Sequence, residues 1–267
     1  MRTLVHLSDL HFGRVDQRVI DPLIQSVRAI NPDLVAVSGD LTQRARSHEF
    51  RAARAFLDAL PQPQIVVPGN HDVPLHNVLT RFLLPLAKYR RYITDNLEPF
   101  FADEEIAVVG MNTARSLTIK GGRVNEVQLA RIREKLWPSR EQVVKVVVTH
   151  HPFDLPEGYH DRELVGRARM AMAALAECGA DLFLAGHLHV SHTGHTAQRY
   201  KIRGHSALVV QAGTAASTRG RGEANSFNVV RLNHPEIAVD RFVWQPDRGI
   251  FAISNQESFR HTSDGWV

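Results

Sequence analysis

Cysteine is almost absent from this 267-residue chain, in which Cys178 is the single example. One cysteine excludes an internal disulfide and any thiolate-based metal cluster, so a metal site must use His, Asp, Glu or Asn. Long apolar runs are also missing, and no stretch reaches the length that spans a bilayer. The N-terminal MRTLVHLSDLHFG is broken by His6, Ser8 and Asp9, so it lacks the apolar region of a secretory signal. A cytoplasmic protein without a membrane partner is expected.

A strong excess of one charge is lacking too. The 32 Lys and Arg residues face 28 Asp and Glu residues, which leaves a net charge of only +4. The basic residues are scattered, which favours an ordinary solvated surface over a nucleic-acid partner. Histidine is the unusual residue, with 15 copies in the chain. This number suggests metal or phosphate chemistry, although most single histidines in proteins are surface or packing residues.

Apolar spacing predicts alternating strands and helices up to about residue 189. A strand over 3–7, a helix over 15–30 and a strand over 34–37 form a βαβ unit. The alternation then continues with helices over 50–60, 124–136 and 170–178 and strands over 65–67, 143–148 and 182–185. We expect these strands to be parallel and flanked by helices.

Beyond residue 189 the apolar runs have no helical spacing and read as strands, over 195–199, 207–211, 227–232 and 237–243. These runs predict a second sheet. Two stacked sheets with helices outside give an α/β protein with a four-layer α/β/β/α sandwich, in a single domain over residues 1–267. The tail over 254–267 is polar enough to be loose.

Residues 75–104 interrupt the alternation and predict a helical insertion near the active edge. Their apolar residues at helical spacing include Leu79, Phe82, Leu83 and Tyr89. This face most simply packs on the domain, and a dimer contact, which would make a homo-oligomer, is the alternative.

The stretch VVPGNHDVP, residues 66–74, shows how polar residues follow the predicted strands. Pro68 cannot continue a sheet ladder, and Gly69 permits a backbone geometry that other residues resist. An amide, an imidazole and a carboxylate therefore stand just beyond a strand. Five such clusters occur, namely Asp9-Leu10-His11, Gly39-Asp40, Asn70-His71-Asp72, His150-His151 and His187-Leu188-His189. Ligands of open α/β sheets bind at this edge of the strands.

The residue types and spacing in these clusters fit metal ions. Asp9 and His11 are two residues apart, as are His187 and His189, so in extended backbone each pair points to one side. Oxygen donors mixed with imidazoles fit Mn²⁺, Fe or Zn²⁺ rather than Ca²⁺, and the ligands suffice for two ions. Each cluster alone could be a turn or a surface pair, but all five in order behind strands favour a dinuclear site at the carboxyl-terminal edge.

The motifs D-L-H, G-D, G-N-H-D, H-H and G-H-L-H, in this order over residues 4–190, resemble the calcineurin-like metallophosphoesterase superfamily. The resemblance implies that one metal is bound by Asp9, His11 and His189, and the other by Asn70, His150 and His187. Asp40 would bridge the two ions. His71 would face the leaving group as a catalytic residue without binding metal.

The sequence segments SGDLTQ, PGNHD and THHPF resemble those of the bacterial class III cyclic nucleotide phosphodiesterases and their glycerophosphodiesterase relatives. The implied reaction is metal-dependent hydrolysis of a small phosphodiester, with a 3',5'-cyclic nucleotide first. Glycerophosphodiesters or 2',3'-cyclic nucleotides are the alternative substrates, followed by a nuclease activity. Protein phosphatases of the superfamily carry an Arg after the bridging Asp and a Glu after the GNH, where this chain has Leu41-Thr42 and Asp72. A non-catalytic scaffold would have lost ligands, and none is missing.

Several further residues are expected to act indirectly. Asp72 should support its loop, and Cys178 should lie in the core. Orienting or packing roles are expected for His151, His192, His195 and His205. Arg219 and Arg221 should lie in a solvated loop, with phosphate contact as the alternative.

Overall fold

The structure is a computed structural model that describes residues 1–75, 78–118, 120–138, 143–220 and 222–267. Arg221 lies outside the described residues. The strands are β1 (Arg2–Leu7), β2 (Leu34–Val37), β3 (Gln64–Val66), β4 (Phe100–Ala102), β5 (Ile106–Gly110), β6 (Val144–Val148), β7 (Leu182–Ala185), β8 (His192–His195), β9 (Leu208–Gln211), β10 (Ser226–Asn233), β11 (Glu236–Gln245), β12 (Ile250–Thr262) and β13 (Gly265–Trp266). The helices are α1 (Gln17–Ile30), α2 (Ser47–Ala59), α3 (Val78–Leu83), α4 (Ala87–Tyr92), α5 (Glu126–Leu136), α6 (Ala168–Glu177) and α7 (Thr196–Arg199).

Two mixed sheets are formed by the described part of the chain. One has seven strands in the order β13-β12-β11-β10-β1-β2-β3, and the other has six in the order β4-β5-β6-β7-β9-β8. The strands β1, β2 and β3 are parallel, as are β5, β6, β7 and β9. The predicted parallel strands are therefore divided between two sheets. The strands after residue 189 extend both sheets, so the expectation that they form the second sheet by themselves was wrong.

Alternating side chains of the central strands fill separate hydrophobic layers. Leu4 and Leu34 point between the two sheets, where the opposing sheet contributes Val146. Their neighbours along the strands point the other way, toward a layer that contains apolar residues of α1 and α2. A third layer lies between the outer face of the second sheet and helices α5 and α6. The central strands of both sheets are thus buried on both faces, which confirms the predicted α/β/β/α order.

Helix α1 illustrates how local sequence sets an element. The Asp16 side chain accepts a hydrogen bond from the backbone N–H of Arg18 and caps the helix start. Its buried residues Val19, Leu23 and Val27 recur at helical spacing, and Asn31 ends the helix with a left-handed φ of 51°. Among the described residues, no helix is both long and apolar enough to cross a bilayer.

After residue 100, the structure contains one strand that was not predicted and contradicts two sequence-based expectations. Strand β5 was not predicted. The strand predicted over 195–199 is wrong, because β8 ends at His195 and α7 follows it. The tail from Ser254 is not loose: it continues β12 as far as Thr262, and Trp266 is buried between the sheets. The Trp266 indole donates a hydrogen bond of 2.8 Å to the Asp181 carboxylate, which fixes the chain end.

The insertion over 75–104 contains α3, α4 and β4. Tyr89 is fully buried, and its hydroxyl donates a hydrogen bond of 3.0 Å to the Val66 carbonyl. Leu79, Phe82 and Leu83, however, are 73%, 51% and 72% exposed. The expectation that this apolar face packs on the domain was therefore wrong for these three residues, and the dimer contact stays a prediction.

Candidate metal centre

The carboxyl ends of parallel strands from both sheets meet at one place. The predicted ligand residues leave the first sheet after β1, β2 and β3, and the second after β6 and β7. The two groups are in direct contact, because the ring Nδ1 of His150 lies 2.8 Å from the Ser38 carbonyl oxygen. The candidate centre therefore lies between the sheets at their shared edge.

One cluster comprises Asp9, His11, Asp40 and His189, all of them buried. The Nε2 atoms of His11 and His189 are 3.2 Å apart. The Asp9 Oδ1 atom lies 3.5 Å from the first of these nitrogens and 3.2 Å from the second. These nitrogen and oxygen atoms converge on one point, as the ligands of a single ion would.

The second cluster forms around the side-chain amide of Asn70. Its Oδ1 lies 3.1 Å from Nε2 of His150 and 3.1 Å from Nδ1 of His187. His151 is close as well, but its Nδ1 contacts the Thr113 hydroxyl at 2.8 Å and its Nε2 contacts the Lys120 carbonyl at 2.9 Å. Both ring nitrogens of His151 are thus occupied, which supports its expected indirect role.

Asp40 joins the two clusters. Its Oδ2 lies 3.7 Å from Nε2 of His11, whereas its Oδ1 lies 3.4 Å from Nε2 of His150. The same Oδ1 accepts a hydrogen bond of 2.8 Å from the backbone N–H of His71. One carboxylate therefore presents an oxygen to each cluster, which is the arrangement that a bridging ligand requires.

An unsatisfied oxygen of Asp9 shows that the residues fit a cation. Its Oδ2 accepts hydrogen bonds from the Ser8 hydroxyl at 2.7 Å and from the His187 backbone N–H at 2.9 Å. Its Oδ1 is buried and has no hydrogen-bond partner among the described residues. A buried carboxylate oxygen without a partner is costly, and a bound cation would satisfy it.

Backbone carbonyls orient two of the candidate imidazole ligands. His150 bonds the Ser38 carbonyl through Nδ1, and His189 bonds the Arg219 carbonyl through Nδ1 at 3.1 Å. Because a carbonyl only accepts, each Nδ1 carries a hydrogen, and in the neutral ring the lone pair of Nε2 faces the centre.

The backbone of the ligand residues is strained. The φ angles are positive at Asp9 (51°), His11 (50°), Asp40 (51°), His187 (75°) and His189 (59°). Non-glycine residues rarely adopt this region, and such conformations persist where the surroundings enforce them, commonly at functional sites. Close packing adds to the constraint, because a Cβ at Gly69 or Gly186 would collide with Asp40 or Asp9 respectively.

The buried charges of the centre depend on one another. Burial alone would raise the pKa of Asp9, but the neighbouring imidazoles of His189 and His11 hold that pKa well below its usual value. Burial would lower the pKa of His150, but the Asp40 carboxylate raises it to about 9. Burial and the charge of His150 lower the pKa of His187 to about 3. Two ionised carboxylates thus face the imidazoles, an electrostatic environment suited to cations.

Asp72 supports the loops, as expected. Its carboxylate accepts backbone hydrogen bonds from Gly69 at 2.9 Å, Leu41 at 3.1 Å and Thr42 at 2.9 Å. These contacts tie the loop after β2 to the loop after β3. Asp72 therefore positions Asp40 and Asn70 rather than contributing a ligand.

His71 lies beside the two clusters, and both of its ring nitrogens contact residues outside the candidate ligand set. Its Nδ1 donates to the Gln43 carbonyl at 2.8 Å, and its Nε2 is 2.9 Å from Nη1 of Arg219. Arg219 is half-buried at the site, so its expected place in solvent was wrong. A signal was present in the sequence, since the predicted strand over 207–211 would deliver the following loop to the same edge.

The three other histidines for which the sequence predicted indirect roles, His192, His195 and His205, lie away from the two clusters. His192 is 3.9 Å from the Asp154 carboxylate, and Nδ1 of His195 is 3.2 Å from the Trp266 carbonyl. His205 lines a surface hollow with His261. Cys178 is buried, as expected for a core residue.

Residues 2–191 match the family model described as Calcineurin-like phosphoesterase. The chain therefore belongs to the calcineurin-like phosphoesterase family. This confirms the resemblance carried by the five motifs, and it makes the chain a metal-dependent phosphoester hydrolase.

Relatives and solved structures agree with this family. A protein of Moraxella catarrhalis (strain BBH18) named probable cyclic nucleotide phosphodiesterase is 26% identical over 212 residues, 75% of this chain and 76% of that protein. The probable glycerophosphodiester phosphodiesterase GpdQ of Arcobacter nitrofigilis is 27% identical over 204 residues, 70% of this chain and 71% of that protein. A dimetal phosphatase from Danio rerio superposes with a TM-score of 0.69 at 14% identity, covering 98% of this chain and 99% of the other. The structural likeness shows a shared fold.

Proposed function

We propose that this phosphoesterase hydrolyses a small phosphodiester at two metal ions, with a 3',5'-cyclic nucleotide as the first substrate. The observation that carries the two-ion proposal is Asp40, whose Oδ1 and Oδ2 face different ligand clusters. A carboxylate shared in this way holds two ions close enough to act on one phosphate.

The contacts within the two clusters support the ligand set that the resemblance implies. Asp9, His11 and His189 would hold one ion, Asn70, His150 and His187 the other, and Asp40 both. Nitrogen and oxygen donors without a thiolate suit Mn²⁺, Fe or Zn²⁺. When bound, such ions supply positive charge to the phosphate oxygens and lower the pKa of the attacking water.

His71 is proposed to act on the leaving oxygen. The Gln43 carbonyl fixes its Nδ1–H, and the bond from its backbone N–H to Asp40 holds the residue against the centre. An imidazole in this position can donate a proton from Nε2 to a departing alkoxide, which would contribute about 10² to 10⁴ in rate.

The substrate proposal rests on the relatives that cover most of this chain. One is named a cyclic nucleotide phosphodiesterase and another a glycerophosphodiester phosphodiesterase. Both names denote hydrolysis of a phosphodiester, so a diester is favoured over a monoester. A glycerophosphodiester is accordingly the second candidate, together with 2',3'-cyclic nucleotides.

Steady-state kinetics with Mn²⁺-loaded protein test the substrate. We expect kcat/KM to be highest for cyclic AMP among cyclic AMP, 2',3'-cyclic AMP and glycerophosphocholine, with little cleavage of plasmid DNA. A higher value for glycerophosphocholine would support the second candidate instead. Loss of all activities in Asp40→Asn, with retention in the surface variant Asp58→Asn, would assign them to this centre.

A further inference from the structure

Arg219, for which the sequence left phosphate contact as the alternative, lies half-buried beside the candidate centre. Its Nη1 lies 2.9 Å from Nε2 of His71, and its carbonyl oxygen lies 3.1 Å from Nδ1 of His189. The ring of His11 is close to both histidines, with centroid distances of 4.9 Å to His71 and 5.0 Å to His189. Arg219 thus spans one side of the centre, from a candidate ligand to the residue that faces the leaving group.

The loop that carries Arg219 is fixed to the ligand loop. The Thr214 hydroxyl donates a hydrogen bond of 2.6 Å to the Asp9 carbonyl. The Ser217 hydroxyl accepts one of 3.1 Å from the Arg219 backbone N–H, and the Asn225 amide donates one of 2.9 Å to the Ser217 carbonyl. Because the backbone is held at several points, the guanidinium has a restricted range within the site.

The chemistry of this position points to an anion. Arg219 remains cationic at any physiological pH, and its planar guanidinium matches phosphate oxygens with two parallel N–H donors. The ring nitrogen that it contacts, Nε2 of His71, carries no negative charge. A phosphate oxygen is the stronger acceptor, so a bound ester would compete with His71 for the guanidinium.

We propose that Arg219 binds the non-bridging oxygens of the substrate phosphate. The inference rests on the proposed function, because it needs a phosphoester held between the two ligand clusters. The positive charge that Arg219 would offer to the phosphate is additional to that of the metal ions, because it comes from a side chain that ligates neither ion.

Inorganic phosphate is the probe, since it carries the recognised oxygens without any leaving group. Its dissociation constant is measured calorimetrically with Mn²⁺-loaded wild type, Arg219→Gln, Arg219→Lys and Arg260→Gln. Arg260 is exposed on β12 and hydrogen-bonds the backbone of Val267, so its variant removes the same charge elsewhere. We expect about 10- to 100-fold weaker binding in Arg219→Gln, the usual range for a lost charged hydrogen bond. Arg219→Lys should be intermediate because it keeps the charge without the fork, and Arg260→Gln should match the wild type.

Two further readouts separate this role from others. Metal content should stay at the wild-type value in Arg219→Gln, because the contact with His189 uses the backbone carbonyl. The kcat/KM for cyclic AMP and for bis(nitrophenyl) phosphate should fall by similar factors, since both share the non-bridging oxygens. Unchanged phosphate affinity in Arg219→Gln, or loss of an ion from it, would overturn the proposal.

The same experiment keeps the two proposals apart. If the wild type hydrolyses none of the tested diesters but Arg219→Gln still weakens phosphate binding, the proposed diesterase function fails and the role of Arg219 stands. If the wild type cleaves diesters and Arg219→Gln binds phosphate as tightly as the wild type, the proposed diesterase function stands and the role of Arg219 fails. Failure of the wild type to bind phosphate at all would overturn the Arg219 proposal.

Discussion

At the residue scale, Asp40 is the side chain on which both ligand clusters depend. It is buried, its two oxygens face different imidazoles, and Asp72 fixes the following two residues through their backbone N–H groups. Removing its charge would deprive at least one ion of a carboxylate ligand and would remove the negative charge between them.

Asp40→Asn should therefore bind both metals more weakly than the wild type. We expect kcat/KM to fall by more than about 100-fold, above the usual effect of residues that only orient ligands. Elemental analysis after gel filtration measures the metal content, with Asp58→Asn on the exposed end of α2 as the control. Two tightly held ions in Asp40→Asn would show that Asp40 does not bridge.

His71→Ala should discriminate between leaving groups. An alkoxide is a poor leaving group and needs a proton donor, whereas a nitrophenolate needs little help. We therefore expect a much larger loss of kcat for cyclic AMP than for bis(nitrophenyl) phosphate, with metal content unchanged. Equal losses for both esters would leave His71 as a residue that positions Arg219 and not as the proton donor.

At the element scale, the sequence predicted those strands and helices whose apolar spacing is set by their own neighbours. The helix over 15–30 and the strands over 34–37 and 182–185 appear close to the predicted bounds. The prediction of a strand over 195–199 was wrong, because β8 ends at His195 and the following four residues form the short helix α7. The polar composition of the tail led to the wrong expectation that it is loose. It forms part of β12, because a strand with one solvated face needs few apolar residues.

Strand β1 carries a buried histidine with a predictable effect on stability. His6 is completely buried, and its Nε2 contacts the Ser38 hydroxyl at 2.8 Å. Burial lowers the pKa of His6 to about 3, against a weaker opposing effect of Asp9. His6 therefore stays neutral in the folded state while the unfolded chain takes up a proton below its ordinary pKa. Its contribution to stability is complete above about pH 6.5 and is lost as the pH falls toward 3.

His6→Gln should consequently reduce the acid sensitivity of folding. Between pH 7.5 and 5.5, His6 should account for about 1.4 kcal/mol of the lost free energy of unfolding, the value of one pKa unit. Urea unfolding of metal-free wild type and His6→Gln at the two pH values measures the difference, with the exposed His48→Gln as the control. Parallel losses in wild type and His6→Gln would contradict this account of β1.

Helix α3 presents an apolar surface that the fold leaves uncovered. Leu79, Phe82 and Leu83 are exposed, and the Arg81 guanidinium ties the helix to the backbone of Pro74 and Thr118. The helix follows the Asn70-His71 loop closely in the chain. Substrate choice or subunit contact would each use such a surface.

Replacement of Leu79 and Leu83 by Ser should change either the kcat/KM ratio between cyclic AMP and glycerophosphocholine or the oligomer size. Analytical ultracentrifugation gives the latter, and metal content should stay at the wild-type value. Val127→Ser, on the exposed face of α5, is the matched control. A folded variant that keeps both the ratio and the size of the wild type would remove α3 from substrate choice and assembly.

At the scale of the whole molecule, the candidate centre joins two sheets. Asp9, Asp40 and Asn70 leave the first sheet, whereas His150 and His187 leave the second. The sequence predicted every one of these positions, because each cluster follows its own apolar run. It did not predict that the parallel strands divide between sheets, since pairing depends on contacts far apart in the chain. The inward turn of Arg219 likewise depends on its loop packing against residues 8–14.

Because the ions would hold the ends of both sheets together, chelation should affect the whole fold as well as activity. Ions at 100 times their dissociation constant stabilise the folded state by about 2.7 kcal/mol per site. For a chain of 267 residues, that corresponds to a Tm lower by about 5 °C per site after chelation. Chelated protein should be inactive and should recover with Mn²⁺ more than with Mg²⁺, because imidazole ligands disfavour Mg²⁺. Calorimetry with and without Mn²⁺ measures the shift, and Asp40→Asn should show a smaller one. Full activity after chelation, or a Tm independent of Mn²⁺ in the wild type, would contradict a dinuclear centre shared by the two sheets.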